Sequence, residues 1–337
     1  MEILYIANVF DEETGKKYFD KRLPPIAASN YHNLLSMGLA QNGVHVNILS
    51  VLPATKNNSS KKRIKKSMYI NGNRTIKYIP YYNIPILKNL QIFIYTFFYV
   101  LFRKDADFLI IDGLVVSSGI GAYLAGKITK KRVLGVVTDF PEFLPISKSK
   151  IMLKINEWLI RSFSRYLFLN INMASKLGVE KGSFILIDGQ VKLNDNHFEV
   201  NLDLEQKILL YTGSINKKYG IDILCNSFIN AHVDNYELHL YGNGDYEKEL
   251  KNICEINKNI KFFGMVNNET ALLRQREATI LINPRQPNEE FSKYSFPSKN
   301  LEYMMSGRPV INFLLSGMDE DYGEYTYIIP NGQINDF

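Results

Sequence analysis

The chain has 337 residues, a length that suits two domains better than one. Its 46% hydrophobic and 22% charged residues are ordinary globular proportions, with enough apolar material for two cores. Two cysteines, Cys225 and Cys254, are too few and too far apart for a disulfide framework or a zinc site, and are expected as buried thiols in a reducing cytoplasm. The net charge of +6 is a modest excess that would suit nucleic acid, an anionic membrane surface or a phosphorylated substrate.

Strand and helix patterns alternate almost throughout, which predicts parallel sheets with helices on both faces. The opening MEILYIANVF has an acidic second residue and no basic flank, so it reads as a first strand and not a signal peptide. A long polar loop, 8–30, follows; loops of that length are commoner as binding loops than as plain connections, and this one is expected to close over an acceptor. A helix over 27–41 ends at Asn42-Gly43. Strands are predicted over 44–50 and 74–80. Between them the run KKRIKK, 61–66, concentrates positive charge, and NLQIFIYTFFYVLFR, 89–103, is helical but too short to span a bilayer, which needs roughly 20 apolar residues. The pair is either a solvated loop plus a core helix or a docking patch on an anionic membrane through Lys61, Lys62, Arg63, Lys65 and Lys66. Strands over 108–113, 132–139 and 165–170 alternate with helices over 117–130 and 148–164, and FILIDGQV, 184–191, closes the first domain. Residues 192–206 are polar and aperiodic, a linker. The alternation then restarts, with strands over 207–214, 237–244, 260–266, 279–284 and 308–313 and helices over 220–232, 245–256, 268–276 and 297–305. The expected fold is therefore α/β, with two doubly wound, Rossmann-like parallel-sheet domains, 1–191 and 207–337. Ligands of such sheets bind at strand carboxyl ends, and two such sheets usually face each other across a cleft.

Three loops that follow strands of the second domain contain glycine: Gly213-Ser214, Gly242-Asn243-Gly244 and Gly264, the last followed by Met265. One such glycine would merely make a tight turn. Three on one sheet edge point to a nucleotide crevice, because glycine admits close backbone approach and a following helix N-terminus attracts phosphate. In NPRQPNEEFSKYSFPSKNLEYMMSGRPVI, 283–311, a strand ends at Pro284 and a helix begins near Pro297 and Ser298. Lys299 thus falls in a first helical turn, where a cation is unfavourable unless an anion is bound, and this predicts a phosphate there. Glu302, one turn on and on the same side, would accept hydrogen bonds from a ribose diol; the plainer reading is a surface Lys–Glu pair. In the first domain Asp139 and Glu142 of VVTDFPEF are expected at the cleft, Asp139 holding an acceptor or sugar hydroxyl or else capping the next helix. Asp112 is placed similarly. Asp105-Ala106-Asp107 precedes a strand and is not expected to bind metal, and the histidines form no ligand set.

These segments resemble the donor domain of the GT-B glycosyltransferases, in particular the retaining enzymes of family 4. The likeness lies in the order of YTGSINKKYGIDIL (211–224), ELHLYGNGDYEKEL (237–250), IKFFGMV (260–266) and PSKNLEYMMSGRPVI. It covers 207–313 well and the first domain loosely. The family signature is a Glu, seven residues and a second Glu. Glu302 matches the second, which binds ribose in the family, and Tyr294 stands in place of the first, which often touches the donor sugar. The family's Arg and Lys in the loop after the domain's first strand would fall on Ser214 and Tyr219, next to Lys217 and Lys218. Neutralisation of the diphosphate is therefore assigned to Lys299 and Arg285. The block Phe296-Pro297-Ser298-Lys299 is most similar to that of bacterial sugar transferases.

The resemblance implies a hexosyltransferase-type enzyme that is retaining, metal-independent and without a cofactor, acting in bacterial surface polysaccharide assembly. Its catalytic set would be Lys299, Glu302, Asp139 and Arg285. Its donor-binding set would be Gly213, Ser214, Lys218, Gly242, Gly244, Met265, Tyr294, Phe296, Pro297, Ser298, Lys299 and Glu302. The expected partners are a nucleoside diphosphate sugar and a glycan or lipid-linked glycan, not nucleic acid, in the cytoplasm at the inner face of the cell membrane. Family members continue past the strand near 325–330 with a helix, so a chain ending at Phe337 is expected to be short at its end. Two rival readings stay open, a non-catalytic glycosyltransferase-like binding subunit and a nucleotide-sugar 2-epimerase. The epimerase would need cleft carboxylates and histidines that the sequence does not offer.

Overall fold

The computed structural model describes residues 1–21, 24, 27–106, 108–144, 149–192, 207–233 and 235–330. The chain divides into two compact units, Met1–Gln190 and Val191–Phe337. All of the expected linker except Lys192 lies outside the described residues, as do Asp107 and the segment 331–337.

The first unit runs β1 (Glu2–Ala7), α1 (Glu12–Tyr18), α2 (Ala27–Gln41), β2 (His45–Ser50), β3 (Arg63–Ile64), β4 (Ser67–Asn71), β5 (Arg74–Tyr78), β6 (Tyr81–Tyr82), α3 (Leu87–Phe102), β7 (Phe108–Asp112), α4 (Val116–Ile128), β8 (Arg132–Val137), α5 (Lys150–Arg161), β9 (Tyr166–Phe168), α6 (Ile171–Leu177) and β10 (Phe184–Leu186). Eight strands form one sheet in the order β10-β9-β8-β7-β1-β2-β5-β4. All its pairings are parallel except that of the edge strand β4 with β5. β3 and β6 make a separate antiparallel ribbon. The unbroken apolar run of β1 is buried along almost its whole length, as a strand covered on both faces requires.

The segment 8–30 holds a helix where the polar composition predicted only loop. Asp11 caps α1 by accepting from the Thr14 N–H at 2.9 Å, Glu12 and Glu13 occupy the first turn, and Lys16 and Lys17 occupy the last. α3 buries one face only. Ile92, Thr96 and Val100, spaced by four, are its buried row, and α4 packs against it so closely that a Cβ on Gly121 would lie 2.7 Å from the Phe93 carbonyl oxygen.

The second unit runs β11 (Lys207–Ser214), α7 (Ile221–Asn230), β12 (Tyr236–Asn243), α8 (Glu247–Ile256), β13 (Ile260–Gly264), α9 (Asn268–Glu277), β14 (Ile280–Asn283), α10 (Ser298–Met304), β15 (Val310–Asn312) and β16 (Tyr327–Ile328). Its sheet order is β13-β12-β11-β14-β15-β16, entirely parallel. Numbered within the unit this is 3-2-1-4-5-6, the doubly wound arrangement whose strand order reverses between the first and fourth strands. Side chains of alternating parity enter two cores. Tyr211, Leu238, Leu240 and Ile282 pack with α7 and α8, while Leu210, Tyr241 and Leu281 pack with Tyr303 of α10.

Candidate active site

Crevices in open α/β sheets lie outside the carboxyl ends of the two strands where the order reverses. In the second unit these are β11, ending at Thr212-Gly213-Ser214, and β14, ending at Asn283 before Pro284 and Arg285. Parity puts Thr212 on the face that α9 and α10 cover, and a string of hydrogen bonds starts from it. The Gln275 amide donates to Thr212 Oγ1 at 2.9 Å and to Glu302 Oε1 at 2.6 Å. Lys299 Nζ meets the same Glu302 oxygen at 2.8 Å. Tyr303 OH donates to the Thr212 carbonyl at 3.0 Å and accepts from the Thr212 N–H at 2.8 Å. Burial holds the Tyr303 phenol protonated, above its ordinary range, so it remains a donor. Gln275 and Tyr303 are fully buried, whereas the Lys299 and Glu302 side chains are 37% and 27% exposed. The string thus runs from the core to a half-exposed carboxylate and ammonium. Beside it, Asn283 Nδ2 donates to Asn300 Oδ1 at 2.6 Å and ties the end of β14 to α10.

Lys299 and Glu302 were expected to serve different parts of a ligand, and the structure brings them into one i,i+3 ion pair. The pair relieves the conflict between Lys299 and the helix dipole without a bound anion. α10 starts at Ser298, one residue later than expected, and has only seven residues. Arg285 follows the end of β14. Its guanidinium stacks on Phe291 at 4.4 Å, lies 5.9 Å from the Tyr219 ring and donates to Ser292 Oγ at 3.2 Å and to Ser295 Oγ. Lys218 lies over the same two rings, at 5.1 Å from Tyr219 and 5.6 Å from Phe291. Two cations therefore share one aromatic pair near the end of β14. Tyr294 is half-buried at the end of a 3-10 turn, Phe296 is buried against Tyr322 at 5.5 Å, and Pro297 takes the position before α10.

The glycines serve the backbone first. A Cβ on Gly242, at φ +139°, would lie 1.7 Å from the Gly213 carbonyl oxygen, and one on Gly244 would lie 2.0 Å from that of Ile215. The Gly244 N–H is already taken by Glu247 Oε1 at 3.0 Å. On Gly213 a Cβ would meet the Tyr211 hydroxyl at 2.6 Å. Gly264, by contrast, has φ +72° with open space around it, and Met265 after it is exposed. Ser214 is exposed, and its Oγ accepts from the Asn216 amide.

In the first unit the strand order reverses between β1 and β7, and there Asp112 belongs to a buried chain that sequence reasoning missed. Asp112 Oδ2 lies 3.1 Å from His32 Nε2, His32 Nδ1 lies 2.6 Å from Tyr5 OH, and all three residues are buried. Burial and then the Asp112 charge push the Tyr5 phenol well above its ordinary range. No local pattern flagged His32 within its helix. Asp139 is half-buried after β8; the 3-10 turn that follows has Phe140, not Asp139, at its cap position, and Glu142 pairs with Lys176 at 2.9 Å. A cavity of about 870 Å³ lined by Lys127, Lys131, Arg132 and Arg165 lies at the opposite edge of this sheet, where β8 and β9 begin. Among the described residues no group of three or more His, Cys, Asp or Glu side chains could hold a metal ion.

Residues 206–337 match the family model described as "Glycosyl transferases group 1". The second unit is a glycosyltransferase domain. No curated protein sequence matches the chain. Solved structures do. The sucrose-phosphate synthase of Thermosynechococcus elongatus has TM-score 0.69 at 14% identity, covering 100% of this chain and 88% of its own. Anabaena Alr3699/HepE in complex with UDP-glucose has TM-score 0.62 at 13% identity, with coverages of 100% and 87%. The apo lipopolysaccharide outer core galactosyltransferase WaaB has TM-score 0.60 at 14% identity, with coverages of 95% and 83%. At these identities the likeness is one of fold, and the fold is the GT-B fold expected from the glycosyltransferase domain's motifs.

Proposed function

We propose that the chain transfers a sugar from a nucleoside diphosphate sugar to a hydroxyl of a glycan or lipid-linked glycan, in the assembly of a bacterial surface polysaccharide at the cytoplasmic face of the cell membrane. The observation that carries the proposal is the string Thr212–Gln275–Glu302–Lys299 at the reversal point of the glycosyltransferase domain. A buried amide fixes one carboxylate oxygen of Glu302 and leaves its other oxygen to accept from a ribose diol. Lys299, half-exposed beside it, would turn to the diphosphate, with Arg285 and Lys218, on the Tyr219 and Phe291 rings, as further cations. In the reaction the bond from the anomeric carbon to the diphosphate oxygen breaks and a bond to the acceptor oxygen forms. Positive groups at the diphosphate stabilise the charge that develops on it. With retention, the acceptor attacks from the face the diphosphate leaves, and a diphosphate oxygen takes the acceptor proton. We assign the acceptor hydroxyl to Asp139 in the first unit, and no step requires a metal ion.

The test is a thermal-shift screen of nucleoside diphosphate sugars on the whole chain. It starts with UDP and UDP-glucose, the ligands in the Anabaena structures. A ligand at about 100 times its dissociation constant adds roughly 2.7 kcal/mol to stability. A melting temperature unmoved by every nucleoside diphosphate and its sugars would refute donor binding.

A further inference from the structure

The apolar helix α3 is half unpartnered. Opposite its buried row, and displaced by two residues, runs a second row spaced by four: Leu90, Ile94, Phe98 and Phe102, exposed by 53, 43, 49 and 74%. Two residues are about 200° of helical turn, so the rows lie on opposite faces. Phe98 stacks on Phe102 at 5.9 Å and makes the end of the row a flat aromatic surface. Below it lies a groove of about 730 Å³ lined by Ile94, Tyr95, Phe98, Tyr99 and Phe102, with Lys77 and Arg103 at its rim; the single acid there, Asp105, is paired with Arg103 at 2.7 Å. An exposed apolar face of this size on a globular unit marks a contact surface.

The charge beside this face identifies the partner. From Lys61 to Lys104 the sequence has no Asp or Glu. Lys61, Lys62, Arg63, Lys65 and Lys66 are all exposed. The ribbon of β3 and β6 ties them to the start of α3. Asn83 N–H donates to the Lys62 carbonyl at 2.8 Å, Tyr82 N–H donates to Gln91 Oε1 of α3 at 2.9 Å, and Arg63 lies 5.1 Å from the Tyr82 ring. Ile84 and Ile86, exposed by 53 and 83%, continue the apolar surface from the ribbon onto the helix. An apolar stripe bordered by a run of exposed cations, of which Lys61 has the Asp20 carboxylate near it, fits an anionic lipid bilayer, whose phosphates take the cations and whose acyl boundary takes the stripe. The 16 residues of α3 span about 24 Å, less than the roughly 30 Å of a hydrocarbon core. No helix of the described residues is long and apolar enough to cross a membrane.

We infer that the exposed face of α3, with the β3–β6 ribbon beside it, docks the protein on an anionic bilayer, α3 lying in the plane of the membrane. The inference deepens the membrane-face reading proposed above and rests on nothing in the donor site.

The experiment is co-sedimentation of the whole protein with vesicles of phosphatidylglycerol and phosphatidylcholine in equal parts, against vesicles of phosphatidylcholine alone. The protein should partition to the anionic vesicles at least about tenfold more strongly, and less so at high salt. Changing Lys61, Lys62, Arg63, Lys65 and Lys66 to Gln should weaken binding by up to about three thousandfold, since each of the five charges near the surface contributes roughly fivefold. The uncharged pair Ile94→Ser and Phe98→Ser should weaken it by roughly 10- to 100-fold, with the melting temperature unchanged because both side chains are exposed. Absence of binding by the unmodified protein overturns the inference. So does a serine pair that binds as before, or one that only splits a dimer seen by sedimentation, which would make the stripe a subunit contact. If the unmodified protein shows a UDP-induced thermal shift but no vesicle binding, the docking surface alone fails; if it binds vesicles but shows no such shift, the donor site alone fails.

Discussion

Removing Lys299 should separate a nucleoside from its diphosphate in affinity, whereas removing Glu302 should weaken both. Both side chains are about a third exposed, so the pair itself contributes only about 0–1 kcal/mol. A charge-assisted hydrogen bond from Lys299 to a diphosphate contributes about 1.5–3 kcal/mol. Breaking the resident pair offsets part of that, which leaves roughly 0.5–3 kcal/mol, or about 2- to 150-fold in affinity. Lys299→Ala should therefore weaken UDP by that factor. The same change releases Glu302 from its cation, so uridine should bind as well as before or up to about fivefold more tightly. Glu302→Ala should weaken both ligands, and UDP by the smaller factor, because Lys299 is then free to meet the phosphates. Calorimetric titration of uridine and UDP against the two variants gives the four comparisons, with melting temperatures as the control for folding. Equal losses of uridine and UDP in Lys299→Ala would refute the division of roles and move the phosphate to Arg285.

Gly242→Ala should destabilise the protein by about 3 kcal/mol or more, because a Cβ there collides with the backbone of the neighbouring strand and has no side chain to displace; a loss below about 1 kcal/mol in urea titration would show that β11 and β12 separate easily. Asp11→Ala should cost about 1 kcal/mol at neutral pH by uncapping α1. Burial works against ionisation of Asp11, but hydrogen bonds from Thr14 and Tyr78 outweigh it and hold the carboxyl below its ordinary range. Its contribution is thus complete above the unfolded value and disappears as pH falls through the lower folded one. Melting curves of Asp11→Ala and the unmodified protein should converge in acid, and a gap that persists there would contradict the assignment.

Most of the fold could be read from hydrophobic periodicity, because parallel strands buried on both faces are unbroken apolar runs, and α2, α6 and α8 end at asparagine or glycine. What escaped was polar or lay exposed at an edge. α1 is held by one cap and complementary end charges, so composition alone read loop. β4 exposes four of its five residues at a sheet edge, and its apolar Met68, Tyr69 and Ile70 are consecutive, so no alternation reveals it. α3 looked like a core helix because its two apolar rows, 92-96-100 and 90-94-98-102, cannot be told apart by hydropathy; only the position of α4 shows which one is covered.

The candidate site was legible where local chemistry was in conflict and illegible where it was reconciled across elements. Lys299 stood out because a cation in a first helical turn opposes the dipole. Gln275 did not stand out, since a glutamine inside a helix offends no local rule. Yet the fully buried Gln275 amide joins Thr212 to Glu302, and a buried donor of that kind holds its partners where they are because leaving it unpaired costs about 1–3 kcal/mol. Sequence assigned the glycines to ligand approach; at Gly242 and Gly244 the close approach seen in the structure is made by the protein's own backbone, whereas Gly264 stands in open space. On the proposed donor reading, the Lys299–Glu302 pair is the ligand-free arrangement at the exposed end of the string. Gln275 continues to hold Glu302 when Lys299 turns away, so a phosphate can take the lysine without disordering the carboxylate that would hold the ribose.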